Sequence, residues 1–136
     1  MRLGTLDHIA LNVASVDRSL VFYHEVLGLS TERLDDFREG KISFPSVRVN
    51  PETVIDLFPA GSRLSSDLHA LNHFCFTLAD GQLPGLRDKL VQHEVEIVEE
   101  AAPRWGAQGW GPSMKVRDPD GNIVELKAPP ESRSLS

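Results

Sequence analysis

A histidine and a carboxylate each occur twice in this chain in similar sequence surroundings, and this repeat restricts the possible folds more than any other feature. The segment LDHIALNV at 6–13 resembles LNHFCFTL at 71–78, since each has a histidine at its third position followed by apolar residues. Each is followed later by an apolar segment that contains one acid, VIDLF at 54–58 and IVELK at 123–127. An internal repeat constrains the architecture before single residues are interpreted. The repeat predicts two similar modules that each contribute one imidazole and one carboxylate to a single metal site.

The periodicity of apolar residues predicts the same order of elements in both halves. Helical spacing predicts one helix in each half, at about 15–27 and 83–93, and Gly28 ends the first. Segments with strand character follow the order of the repeat: 6–13, about 30–37, about 41–49 and 53–59, then 72–78, about 95–99, 111–117 and 123–127. We therefore predict an α+β fold built from two βαβββ modules.

Length and composition indicate one globular domain and exclude several classes of protein. The chain has 136 residues, of which 40% are hydrophobic and 25% charged. A net charge of −6 argues against a nucleic-acid surface or a polybasic membrane patch. We see no signal peptide and no apolar run near the roughly 18 residues of a membrane span. The single cysteine, Cys75, is compatible with a reducing compartment, so we expect a cytoplasmic protein.

The domain is expected to cover 1–136 as a whole. Within it we place a first module at about 5–60, a polar linker at 61–70 and a second module at about 71–128. The remaining residues, 129–136, are rich in proline and serine and lack periodic apolar positions, so we expect a loose tail.

Strand alternation predicts a common orientation for the repeated histidines and acids. Successive side chains of a strand face opposite sides of the sheet. In each of the four segments the apolar residues share one face, which can pack against a helix, while the histidine or the acid lies on the other. If the sheet curves, the residues that face its concave side are His8, Asp56, His73 and Glu125.

Two imidazoles with one or two carboxylates suit a divalent ion such as Zn²⁺, Ni²⁺, Fe²⁺, Mn²⁺ or Co²⁺. A face of three ligands leaves positions at which a substrate oxygen can bind the ion. Either histidine alone would be interpreted as an ordinary strand residue, but the repeated positions favour a metal. Asp56 has a shorter side chain than glutamate, so it is either a ligand or a residue that orients His8 or His73. Glu125 has the alternative of an exposed strand end beside Lys127.

Three further features have alternative interpretations. Cys75 is predicted on the same strand face as His73, where it either lines the cavity or is a small buried residue. The glycine-rich segment RWGAQGWG at 104–111 is either a lid over the pocket or a dimer contact or packed loop. The remaining histidines are expected at the surface: His24, His69 and His93.

The segments DHIALNVASVDRSLVFYHEVLGL at 7–29 and KVRDPDGNIVELKAP at 115–129 resemble the glyoxalase/bleomycin-resistance/dioxygenase proteins, the vicinal oxygen chelate superfamily. This resemblance implies paired βαβββ modules that form a cup-shaped mixed sheet with helices on its outer face, and usually a homodimer. It also implies that members bind a small substrate through two neighbouring oxygens and stabilise its developing charge on the metal. The implied ligand positions are His8, Asp56, His73 and Glu125.

Departures from the subfamilies narrow the prediction. Glyoxalase I proteins usually have glutamate where Asp56 stands, and an arginine for glutathione where this chain has Asn12. We expect a divalent-metal-dependent, glyoxalase-like lyase or isomerase that acts on a small substrate chelated through neighbouring oxygens. Asp56 and Glu125 are its candidate catalytic residues, and Asp56 released from the metal would serve as general base. The alternatives are an Fe(II) extradiol ring-cleavage dioxygenase and a non-catalytic small-molecule or antibiotic-binding protein.

Overall fold

The computed structural model describes residues 3–66 and 69–130 of the chain. Most of the predicted tail, and positions 67–68 of the predicted linker, lie outside the described residues. The fold is α+β, as predicted, and within these ranges it has eight strands: β1 (Leu3–Val13), β2 (Ser30–Glu32), β3 (Ser46–Asn50), β4 (Thr53–Pro59), β5 (Leu71–Leu78), β6 (Ile97–Gly106), β7 (Gly109–Arg117) and β8 (Ile123–Lys127). The helices are α1 (Val16–Leu20), which continues as a π-helical segment (Val21–Val26), α2 (Leu34–Arg38), α3 (Arg63–Ser66) and α4 (Leu83–Gln92).

The chain divides into two compact units. The C-terminal unit has the predicted βαβββ order, and the N-terminal unit has the same order with α2 inserted between β2 and β3. The N-terminal unit is His8–Asn72, with strands in the order β2-β3-β4-β1. The C-terminal unit contains the chain from His73 onward together with the residues up to Asp7, and its strand order is β6-β7-β8-β5. In both units the first and last strands of the module pair in parallel, whereas the other pairs are antiparallel. The repeat in the sequence is therefore a repeat of structure.

Each unit has an apolar core of its own. In the N-terminal unit, α1 contributes two of the buried side chains and the strands contribute three: Val16 and Leu20, then Val13, Val47 and Leu57. In the C-terminal unit, α4 contributes two and the strands four: Leu83 and Leu86, then Leu78, Met114, Val116 and Leu126. These strand residues alternate with the candidate site residues, so one face of each unit's sheet packs against a helix and the other carries the histidine and the acid.

The prediction of long strands at about 30–37 and 41–49 is wrong. Strand β2 ends at Glu32, and α2 occupies the next segment. Leu34 and Phe37 both pack on the N-terminal core, and their spacing of three suits a helix better than a strand. The backbone of Arg33 is left-handed, with φ 60° and ψ 24°, which separates the strand from the helix.

Two apolar positions that follow the helical spacing of the first helix are exposed rather than buried. Val26 is 68% exposed and Leu27 54% exposed. The amide of Leu27 donates to the carbonyl of Phe22, five residues earlier, which is the bonding of a π-helix. This widened helix has more residues per turn, so positions chosen by α-helical spacing no longer share one face. In α4, Val91 also fits the apolar helical spacing and is half exposed.

No helix within the described ranges is long and apolar enough to cross a membrane.

Candidate functional site

The first imidazole–carboxylate pair lies in the N-terminal unit, on the parallel strands β1 and β4. His8 is in register with Val54, and Asp56 with Ala10. His8 Nε2 lies 3.8 Å from Asp56 Oδ2, and each residue is only 2% exposed. The predicted orientation is thus observed in this unit, because Leu57 beside Asp56 belongs to the core and Asp56 does not.

The second pair lies in the C-terminal unit, on the parallel strands β5 and β8. His73 Nε2 is 3.1 Å from Glu125 Oε1, and both residues are buried. The alternative that placed Glu125 at an exposed strand end is therefore wrong. Cys75 is in register with Glu125 and is fully buried, and its thiol lies 3.6 Å from the carbonyl of Phe76. This environment fits a small buried residue.

The chemistry of these donors fits a divalent ion. Two atoms bound to one ion at about 2.0–2.2 Å lie roughly 3.0–3.5 Å apart. The His73–Glu125 distance of 3.1 Å falls in that range, and the His8–Asp56 distance of 3.8 Å is slightly longer. Buried carboxylates are costly unless a cation or hydrogen-bond donors compensate their charge. Imidazole nitrogen and carboxylate oxygen together suit the borderline ions Zn²⁺, Ni²⁺, Fe²⁺, Mn²⁺ and Co²⁺.

Asp56 has partners that the sequence did not indicate. The hydroxyl of Ser46, a fully buried residue on the adjacent strand β3, donates to Asp56 Oδ1 over 2.5 Å. This hydrogen bond leaves Asp56 Oδ2 as the oxygen directed at His8. Arg33 interacts electrostatically with the same carboxylate: burial lowers the pKa of its guanidinium, and Asp56 is the largest opposing influence. Asp56 is thus a fixed, charge-compensated acid.

Asn12, at the position where glyoxalase I proteins tend to carry an arginine, has a structural role here. Its backbone amide donates to the carbonyl of Ala70 (2.7 Å), and its side-chain amide donates to that of His69 (2.9 Å). Its side-chain oxygen accepts a hydrogen bond from the Asn72 side chain (3.0 Å). With 7% exposure, Asn12 holds the connection into β5.

A buried lysine and aspartate hold the tryptophan-containing segment in the C-terminal unit. Lys127 is 1% exposed, and its ammonium donates to the carbonyls of Gly111 (3.0 Å) and Arg104. Asp7 Oδ2 accepts from the amide of Ala107 (3.0 Å). Burial lowers the pKa of Lys127, against the opposite effects of Asp7 and then Glu125. A β-carbon at Gly106 would lie 2.5 Å from Asp7 Oδ2, so a larger residue there would displace the carboxylate of Asp7.

The predicted glycine-rich loop is the tip of the β6–β7 hairpin. Trp105 and Trp110 face each other across the two strands, and the turn is Ala107–Gln108. Trp110 is 63% exposed, whereas the backbone on both sides of the turn is bonded to Lys127. This anchoring favours the interpretation as a packed segment over that of a mobile lid.

Comparison with known proteins identifies the family. Residues 5–126 match the model of the Glyoxalase/Bleomycin resistance protein/Dioxygenase superfamily. A virulence protein of Salmonella typhimurium is 31% identical over 130 residues, which cover 93% of this chain and 85% of that protein. A lactoylglutathione lyase of the same organism is 31% identical over 125 residues, with 89% and 90% coverage.

Solved structures show the same fold at lower identity. The methylmalonyl-CoA epimerase of Mycobacterium tuberculosis superposes with a TM-score of 0.67 at 20% identity, covering 98% of this chain and 93% of that one. The Mn(II)-bound glyoxalase of Novosphingobium aromaticivorans gives 0.74 at 18% identity, covering 93% of this chain and 39% of that one. The duplicated module, its buried histidine–carboxylate pairs and the family match agree: the chain belongs to the glyoxalase/bleomycin resistance protein/dioxygenase superfamily.

Proposed function

We propose that this protein is a divalent-metal-dependent, glyoxalase-like enzyme of the lyase or isomerase type, acting on a small substrate that is chelated through two neighbouring oxygens. The observation that carries the proposal is the presence of a buried imidazole–carboxylate pair at equivalent places in two equivalent units. Its similarity to a lactoylglutathione lyase, at 31% identity over most of both chains, supports the same class of reaction.

The proposed ligands come from both units. His8, His73 and Glu125 hold one divalent ion, and Asp56 is either its fourth ligand or a carboxylate that acts beside it. When bound, the ion supplies a Lewis acid that stabilises negative charge on the substrate oxygens. Asp56 would take a proton from a carbon that bears one of those oxygens and deliver it to the neighbouring carbon, as an isomerisation between adjacent oxygen-bearing carbons requires. Ser46 supports this role because its hydrogen bond to Oδ1 fixes the direction of Oδ2.

We propose a small substrate whose binding does not require a cationic side chain at position 12. Asn12 is neutral, and its hydrogen bonds to His69, Ala70 and Asn72 occupy it. A thiol that carries carboxylates, such as glutathione, therefore has no arginine at position 12 to bind a carboxylate.

We also propose that the enzyme is a cytoplasmic homodimer. The outer surface of the first helix and its π-helical extension carries four large apolar side chains that are at least half exposed: Val21, Phe22, Val26 and Leu27. A contiguous apolar patch of this kind suits a second copy of the chain better than it suits water.

Carbon–hydrogen exchange tests the proposed reaction. Hydroxyacetone, whose hydroxyl and carbonyl oxygens are neighbours, is incubated in D₂O with protein loaded with each of the five ions and followed by NMR. We expect metal-dependent deuterium incorporation beside the carbonyl, and a loss of roughly 10²–10⁴-fold in the Asp56→Asn variant. Asparagine keeps the acceptor for Ser46 but cannot accept the proton.

Two results would contradict this proposal and identify the alternatives. Oxygen uptake on catechol by the Fe²⁺ form, without deuterium incorporation in any form, would identify a ring-cleavage dioxygenase. Binding of small molecules without turnover in any metal form would identify a binding protein.

A further inference from the structure

Beside Asp56, the N-terminal unit contains three flat groups that contact one another. Phe58 follows Asp56 by two residues on the same face of β4. Its ring stacks on that of Phe44, with centroids 4.2 Å apart and an angle of 27° between the planes. The guanidinium carbon of Arg33 lies 4.9 Å from the centroid of Phe44. All three side chains are half-buried, so each keeps part of its surface accessible.

The placement of Arg33 carries two costs. Its backbone is left-handed, with φ 60°, a conformation that is strained for a residue with a β-carbon. Its charge is partly buried, and that burial lowers the pKa of the guanidinium. Strained, half-buried charged residues of this kind are concentrated at binding sites. Arg33 already has partners: its Nη2 donates to the carbonyl of Phe44 at 3.5 Å, and Asp56, Asp36 and Glu32 are the nearby acids. A guanidinium carries five N–H donors, so it can bind a ligand in addition to these partners.

The geometry points to Arg33, Phe44 and Phe58 as a recognition subsite for a planar organic anion, such as an aromatic or conjugated carboxylate. A guanidinium binds carboxylates through two parallel hydrogen bonds, and its attraction strengthens where the site is partly desolvated. Aromatic rings add offset or edge-to-face contacts with a flat ligand. This inference rests on the proposed function only for its position, since Asp56 places the subsite next to the proposed metal ligands.

Titration calorimetry with benzoate and benzamide tests the subsite, because the two molecules share their shape and differ in charge. In the protein with and without bound metal, we expect benzoate to bind with a Kd of the order of 1 mM or tighter, and benzamide at least about tenfold more weakly. Arg33→Asn should lower the benzoate affinity by roughly tenfold or more. Asparagine tolerates the left-handed backbone, so this variant removes the cation without adding strain.

Two further variants complete the design. Arg38→Gln changes an exposed arginine at the end of α2, the helix that follows Arg33, and should leave benzoate binding unchanged. Phe44→Leu keeps an apolar side chain without the flat ring, so it should weaken benzoate binding and leave the binding of acetate unchanged.

Equal affinities for benzoate and benzamide would overturn the inference, as would full benzoate affinity in the Arg33→Asn variant. Metal titration of the same samples separates this failure from failure of the proposed function. A protein that binds the divalent ion but does not discriminate by charge refutes only the subsite. A protein that discriminates by charge but binds no ion refutes only the metal-dependent function.

Discussion

Replacing either His8 or His73 by alanine should lower the affinity for the divalent ion by roughly a hundredfold or more, even though the two histidines belong to different units. Substituting a residue that merely orients a ligand commonly costs 10- to 100-fold, so the loss of a ligand itself should be at least as large. Each histidine is buried opposite a carboxylate, with His8 facing Asp56 and His73 facing Glu125. If one ion uses both pairs, removal of either imidazole leaves an incomplete ligand set.

Calorimetric titration of metal-free protein with Zn²⁺ or Co²⁺ measures this effect, and His93→Ala is the matched control. His93 is exposed just after α4, so its replacement should not change the affinity. The Asp56→Ala variant separates the two roles of that acid, because a ligand should cost more affinity than a residue that orients His8. A result in which only one histidine matters would mean that the two pairs act independently, contrary to the proposal.

Replacing Lys127 by methionine should lower the free energy of unfolding by about 3–5 kcal/mol, the usual effect of leaving a buried charge without compensation. Methionine fills a similar volume but cannot donate to the carbonyls of Gly111 and Arg104. It also removes the cation whose charge is complementary to the buried Asp7. In the variant, the buried carboxylate of Asp7 therefore loses a compensating positive charge, and two carbonyls of the β6–β7 hairpin lose a hydrogen-bond donor.

Urea denaturation followed by tryptophan fluorescence measures the loss, since Trp105 and Trp110 lie on the same hairpin. Lys115→Met is the control on the neighbouring strand. The Lys115 ammonium is 3.1 Å from Glu99 in a pair that is partly exposed, so its loss should cost less than about 1 kcal/mol. Adding Asp7→Asn to Lys127→Met should restore part of the stability. If Lys127→Met and Lys115→Met were equally mild, the buried ammonium of Lys127 would have no special role in stability.

The features that the sequence predicted are those that follow from the alternation of apolar and polar residues and from the internal repeat. Alternation in LDHIALNV separated His8 from the apolar face, and the same pattern placed His73, Asp56 and Glu125 opposite the packed residues. The order of elements followed from the repeat, since the two modules share one strand order. Such patterns are local, so they can be recognised without knowledge of the tertiary structure.

The features that the sequence did not predict depend on contacts between distant segments. Lys127 looks like a strand-end lysine exposed to water, and only the carbonyls contributed by the β6–β7 hairpin make its burial possible. Ser46 had no signal of its own, because its importance comes from its register with Asp56. Arg33 lies in a segment predicted as strand, where nothing indicated a left-handed backbone before a short helix. In each case tertiary structure overrode the local pattern.

The exposed valine and leucine after the first helix have a different origin. Val26 and Leu27 fit an α-helical pattern, but the segment adopts π-helical bonding that changes which positions share a face. A pattern search that assumes 3.6 residues per turn cannot detect this change. The resulting patch is the surface that we propose for the dimer.

The most direct test of the central claim is the number of divalent ions bound per chain. Elemental analysis of the unaltered protein, after reconstitution and removal of excess metal, should give one ion per chain, and the His8→Ala and His73→Ala variants should each retain essentially none. A wild-type chain that neither retains nor takes up a divalent ion would contradict the account, as would one that binds two ions and loses only one of them when a single histidine is replaced.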